Sequence, residues 1–157
     1  MDHWNNENLI KILKDGGVAV MPTDTIYGVV GRAENKKTVD KIFEIKKRSP
    51  DEKLITLISN WEDTKKFGIN ASLYKIPEYS EPTTFILEDT AFRLPKEEGL
   101  RELILKTGPL VAPSANPEDS PPAKNIKEAK NYFGDLVDLY IDGGEISGKA
   151  SKIIRLD

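Results

Sequence analysis

Short apolar runs alternate along this chain with stretches whose apolar residues recur at helical spacing. That alternation restricts the chain to an architecture in which helices pack on a sheet. Strands are predicted at 18–21 (VAVM), 54–58 (LITLI), 83–88 (TTFILE), 90–94 (TAFRL), 109–112 (PLVA), 137–142 with its flank (LVDLYID) and 151–156 (SKIIRL). A first helix, capped by Asn5 or Asn6, carries Leu9, Ile10 and Leu13 and ends at Gly16-Gly17. Further helices fit 36–47, with Val39, Ile42 and Phe43 on one face, 96–106, with Leu100, Leu103 and Ile104, and 124–133. WEDTKKFG suggests a short helix, and 68–82, with Pro77 and Pro82, is turn-rich. No repeat interrupts the pattern. The expectation is a single α/β domain over residues 1–157, with helices around a mixed sheet.

The length, 157 residues, suits one domain with its own core. Without cysteine there is no disulfide framework and no thiolate chemistry, and a single histidine, His3, leaves little material for a histidine metal site or triad. No apolar run approaches the roughly 18 residues of a membrane span, and the start, MDHWNNENL, lacks the form of a signal peptide. A cytoplasmic location without membrane attachment is expected. Net charge is −3, split as +1 over residues 1–80 and −4 over 81–157. Neither half has the basic excess of a nucleic-acid binder.

Two predicted strands end in the same way. VAVM runs into Pro22-Thr23-Asp24-Thr25, and PLVA into Pro113-Ser114-Ala115-Asn116. A polar turn accounts for either one alone. Two together point to a crevice at strand ends, where small hydroxyls and amides bind a ligand without bulk. Lys46-Lys47-Arg48 closes the second helix. Cations there suit the helix dipole and need no function, but they also have the chemistry of a polyphosphate clamp. Arg93, between Phe92 and Leu94, faces either solvent or an inward carboxylate, and alternation does not choose. Residues 143–149, GGEISGK, come close to a phosphate-binding P-loop. Ala150 stands where that motif needs Ser or Thr, and no helix is predicted to follow.

Taken in order, PTDTIYG, K-x-R, a threonine-rich strand, R-x-P, PSAN, DGG and a serine-led last strand resemble the YrdC family of threonylcarbamoyl-AMP synthases, over about residues 7–156. The resemblance implies a single YrdC-like domain with a strongly twisted sheet and a concave ligand-binding face. It implies a nucleotidyltransferase that joins L-threonine, bicarbonate or CO2, and ATP into threonylcarbamoyl-AMP and pyrophosphate, for t6A modification of tRNA. Thr23, Tyr27 and Arg93 are then the threonine-binding residues, Arg93 facing its carboxylate. Lys46 and Arg48 are the catalytic pair at the ATP phosphates, and Ser114, Asn116 and Ser151 lie at the nucleotide. Thr25 and Thr84 are further candidates. The family's proline after K-x-R is Ser49 here, its K-P-L is Glu52-Lys53-Leu54, and the S-G after PSAN is Glu118-Asp119.

The implied chemistry needs no protein nucleophile. Threonine's amine takes up CO2 and the carbamate attacks the α-phosphorus, so positioning and positive charge suffice. Mg2+ is expected to arrive with ATP, with no dedicated metal site. Expected partners are the three substrates and a downstream t6A transferase machinery, with weak or no direct binding of tRNA or double-stranded RNA. The competing reading is an RNA-binding YrdC-like module without robust synthase activity. A carbamoyl-transferring relative of the hydrogenase-maturation type fits less well, since those chains are large and cysteine-bearing.

Overall fold

The computed structural model describes residues 3–156. Among these, four helices and eight strands follow in the order α1 (Glu7–Lys14), β1 (Ala19–Pro22), β2 (Tyr27–Arg32), α2 (Lys36–Lys46), β3 (Ile55–Leu57), β4 (Thr83–Leu87), β5 (Thr90–Arg93), α3 (Glu98–Thr107), β6 (Leu110–Val111), α4 (Ile126–Phe133), β7 (Leu139–Tyr140) and β8 (Lys152–Leu156). The strands make one mixed sheet in the order β7-β1-β2-β6-β3-β5-β4-β8. Its pairings include two antiparallel hairpins, β1–β2 and β4–β5, and three parallel pairs, β1–β7, β3–β5 and β4–β8.

Asparagine opens three of the four helices. The side chains of Asn6, Asn35 and Asn125 accept from the N–H groups of Leu9, Thr38 and Glu128, satisfying donors that have no partner inside the helix. Alternation along β1 divides the core. Val18 and Val20 pack with Ile42 and Ile45 of α2 and with Ile126, Ala129 and Phe133 of α4. Ala19 and Met21 pack with Leu9 and Leu13 of α1 and with Leu100, Leu103 and Ile104 of α3. A third cluster joins Phe85, Leu87 and Phe92 to Ile58, Ile69 and Ala71 under the 61–73 segment.

Three local expectations are corrected. Residues 27–32 form β2, which no apolar alternation announces because two glycines break it. The glycine at 31 has a packing reason: a Cβ there would lie 2.4 Å from Thr38 Cγ2 of α2, so the helix sits directly on the strand. Residues 23–26 are therefore the connection of a hairpin, with Thr23 N donating to Ile26 O at 3.1 Å. The buried residues of α2 are Thr38, Ile42, Ile45 and Lys46, whereas Val39 and Phe43 are half-buried. The short helix Trp61–Phe67 is a 3-10 helix. The 143–149 segment carries no helix and runs directly into β8.

Candidate functional site

A cleft of about 160 Å³ opens where four connections meet. Its walls are Thr23, Thr25, Ile26 and Tyr27 of the β1–β2 hairpin, Arg48 and Lys53 after α2, and Ala112, Pro113 and Ser114 after β6. Arg93 at the end of β5, Ile55 of β3, and Ala150, Ser151 and Ile153 around the start of β8 complete it.

The hairpin tip is organised by hydroxyls. Thr23 Oγ1 donates to Ile26 O at 2.6 Å, accepts from Thr25 N at 3.2 Å and lies 3.2 Å from Thr25 Oγ1. Beside it, pairing between β4 and β5 sets Thr84 opposite Arg93 and Phe85 opposite Phe92. Phe85 and Phe92 enter the apolar cluster, which leaves Thr84 and Arg93 on the other face. The Arg93 side chain is only 3 % exposed and is paired with the Asp24 side chain, 2 % exposed. Nε and Nη2 of Arg93 both reach Asp24 Oδ1, at 3.0 and 2.9 Å. Nη1 donates to Ser151 Oγ at 3.3 Å and Nη2 reaches Thr25 Oγ1 at 3.4 Å. Thr84 Oγ1 and Ser151 Oγ are 2.6 Å apart. One polar chain thus links Thr84, Ser151, Arg93, Asp24, Thr25 and Thr23. Of the two orientations alternation allowed for Arg93, the inward one is realised, and the carboxylate it meets belongs to the protein.

At the other end, Lys46, Lys47 and Arg48 diverge. Lys47 takes a left-handed conformation (φ 55°) that ends α2. Lys46 is turned inward and is 2 % exposed, Lys47 is exposed, and Arg48 enters the cleft wall. The Lys46 ammonium donates to Ser114 O and, at 2.8 Å, to Asn116 O. Burial, reinforced by the charge of Arg48, lowers its pKa to about 8. Asn116 is also spent inside the loop: Oδ1 accepts from Ser114 Oγ at 2.5 Å, and Nδ2 donates to Pro117 O and Ser120 O. So Arg48 and Ser114 line the cleft, while Lys46 and Asn116 stand behind it and hold the Pro113–Asn116 loop. Arg48 Nε lies 3.0 Å from Glu52 Oε2 and Nη2 donates to Lys53 O at 2.7 Å. Lys53 Nζ rests 3.2 Å from Asp89 Oδ1.

Tyr27 contributes a wall but not a free hydroxyl. Its Oη accepts from Gly143 N at 2.8 Å and donates to Gly144 O at 2.7 Å, and burial raises its pKa. These bonds seat the 142–151 segment across the hairpin. A Cβ at Gly148 would lie 2.7 Å from Thr25 O, so only glycine lets the segment pass so close.

The residues read from sequence therefore fall into two groups. Thr23, Thr25, Tyr27, Arg48, Arg93, Ser114 and Ser151 line the cleft, while Lys46, Asn116 and Thr84 support it from behind. Sequence reasoning missed Asp24 and Lys53 as members of the site. The signal for Asp24 was the pairing demand of an arginine inside a strand, since a buried guanidinium needs a carboxylate.

The family model for Sua5, YciO and YrdC, described as "Telomere recombination", matches residues 11–157. The chain belongs to this family. A threonylcarbamoyl-AMP synthase of Pseudomonas fluorescens (strain Pf0-1), similar to this Sua5/YciO/YrdC chain, is 26 % identical over 173 residues, covering 99 % of this chain and 94 % of the relative. Sua5 of P. abyssi, solved in complex with L-threonine, superposes with a TM-score of 0.80 at 26 % identity, over 99 % of this chain. The chain spans about half of that longer protein, 52 %. YciO of E. coli shares the fold, with a TM-score of 0.73 at 21 % identity, over 95 % of this chain and 82 % of that one. Among the described residues no helix is long and apolar enough to cross a membrane.

Proposed function

We propose that the chain is an L-threonylcarbamoyladenylate synthase, a nucleotidyltransferase serving t6A modification of tRNA. The observation that carries the reading is the polarity of the cleft: hydroxyls and a paired arginine at one end, Arg48, Lys53 and Ser114 at the other. The likeness to the P. fluorescens synthase along nearly its full length supports it, as does the L-threonine held by P. abyssi Sua5.

In this reading L-threonine lies at the hairpin end, its hydroxyl at Thr23 and Thr25 and its carboxylate at the Nη1 side of Arg93. Its amine and CO2 form a carbamate. A carbamate oxygen attacks the α-phosphorus of ATP, the bond to the β-phosphate oxygen breaks, and pyrophosphate leaves toward Arg48 and Lys53. Ser114 and Ser151 flank the nucleotide, and the cationic end offsets the charge that grows on the leaving group. The cleft is smaller than the roughly 300–1,000 Å³ pockets that enclose drug-sized ligands, so it encloses the amino acid and leaves much of the nucleotide outside its mouth. We place Mg2+ on the phosphates of ATP, because the carboxylates beside the cleft, Asp24 and Glu52, are committed to Arg93 and Arg48.

The deciding experiment is pyrophosphate release from ATP with threonine and bicarbonate present together, singly, or absent. Release is expected only with both, and equal turnover without threonine contradicts the reading. Amino-acid choice gives a second expected result. Valine removes the hydroxyl and strands the polar groups of the tip, so kcat/KM falls by roughly two orders of magnitude or more. Serine, short of one methyl group, loses only about 1–3 kcal/mol. Competitive turnover assays measure both, and parity of valine with threonine rules out a hydroxyl-reading tip.

A further inference from the structure

We propose that Asp24 sets the charge preference of the cleft, and thereby selects a zwitterionic amino acid over a simple carboxylic acid, by neutralising and aiming Arg93. The inference rests on the amino-acid reading above and adds a positioning residue to it. Asp24 and Arg93 form an ion pair at the hairpin end of the cleft, and each side chain is almost wholly withdrawn from water. Two donors of Arg93 converge on a single oxygen of Asp24, which fixes the plane of the guanidinium. Ser151 and Thr25 then hold its outer edge. The pair carries no net charge, so this end of the cleft presents a dipole rather than a cation. A ligand with both an ammonium and a carboxylate matches it, whereas a net anion gains no Coulombic advantage. At the opposite end the cations Arg48 and Lys53, where a polyphosphate belongs, are paired with the solvent-exposed carboxylates of Glu52 and Asp89, and water screens those surface pairs. Both arginines therefore face the same cleft with different assignments, and the difference is that the Asp24 pair is buried whereas the Glu52 pair is exposed.

The test compares two ligands on the intact chain by calorimetric titration: L-threonine and its α-hydroxy acid analogue, in which a hydroxyl replaces the ammonium group. The ratio of the two affinities is read, because general loosening of the fold weakens both ligands and leaves the ratio alone. Wild type is expected to favour threonine. Asp24→Asn keeps the shape but leaves Arg93 uncancelled, and the ratio is expected to move toward the hydroxy acid by about tenfold or more. Asp24→Glu retains the charge and is expected to keep the wild-type preference. An Asp24→Asn ratio within twofold of wild type overturns the inference while leaving the amino-acid reading intact. Absence of threonine binding by wild type overturns that reading and this inference with it. If Asp24→Asn does not fold, the double variant Asp24→Asn/Arg93→Gln removes both charges together and is expected to fold without binding either ligand. Threonine binding by that double variant at wild-type strength also overturns the inference.

Discussion

Replacing Lys46 by methionine is expected to lower the melting temperature by roughly 5–15 °C, from the loss of about 2–4 kcal/mol in a chain of this size. Methionine keeps the length and apolar stem of lysine but donates nothing. The carbonyls of Ser114 and Asn116, which the ammonium now satisfies, would be left in a buried setting without that partner. Burial of Lys46 also gives the substitution a pH signature. The native ammonium loses its proton near pH 8 rather than 10.5. Between those values the unfolded chain binds more protons than the folded one, so this group makes stability rise with pH across that window. Lys46→Met abolishes that rise. Differential scanning calorimetry of both proteins at several pH values from 7.5 to 10 reads the melting shift and the slope together. An unchanged melting point would show that the loop stands without its ammonium.

Arg48→Ala is expected to leave the melting point nearly unchanged and to reduce kcat/KM for ATP by about 10- to 100-fold, the equivalent of 1.5–3 kcal/mol for a charge-assisted hydrogen bond. Its protein partners are the Glu52 carboxylate, half-exposed on the surface, and one carbonyl. Such a surface pair contributes little to folding. Lys47, exposed and turned away by the left-handed end of α2, is expected to tolerate alanine within about twofold, since surface substitutions of this kind are near neutral. Steady-state kinetics on the three single variants separates the roles: Lys46 in the fold, Arg48 in turnover, Lys47 in neither. Equal damage from Lys47→Ala would refute the assignment.

Most of the architecture was legible because periodicity reports burial directly. VAVM, TTFILE and TAFRL declare strands through alternating or continuous apolar residues, and Asn6 marks the first helix start through a local hydrogen bond, whereas the caps Asn35 and Asn125 emerge only from the structure. β2 was illegible for the opposite reason: Gly28 and Gly31 carry no side chain to enter a pattern. Their value lies in what they let approach, which only the packed sheet shows. The site behaved likewise. Residue types announced which groups could bind a ligand, but not which would be consumed in building the cleft. Nothing in K-x-R distinguishes Lys46 from Arg48, yet a single left-handed residue between them sends one inward to a loop and the other to the wall. Asp24 was hidden by its neighbours. Between two threonines it reads as one more turn residue, and its partner lies 69 positions away.

That separation recurs across the cleft. Lys46 meets Ser114 across 68 residues, Thr84 meets Ser151 across 67, and Arg93 meets Ser151 across 58. Apart from the hairpin tip, whose bonds are local, the cleft is joined by distant contacts, so its assembly waits on long loop closures and the slow pairing of distant strands. In a chain emerging residue by residue from the ribosome, the hairpin bearing Thr23 and Thr25 forms early. It stays without its carboxylate's partner until β5 appears, and Arg93 in turn lacks one hydroxyl until residue 151 is out. Substrate affinity therefore arrives with the last strand, and a ligand of this cleft rewards only the fully synthesised domain.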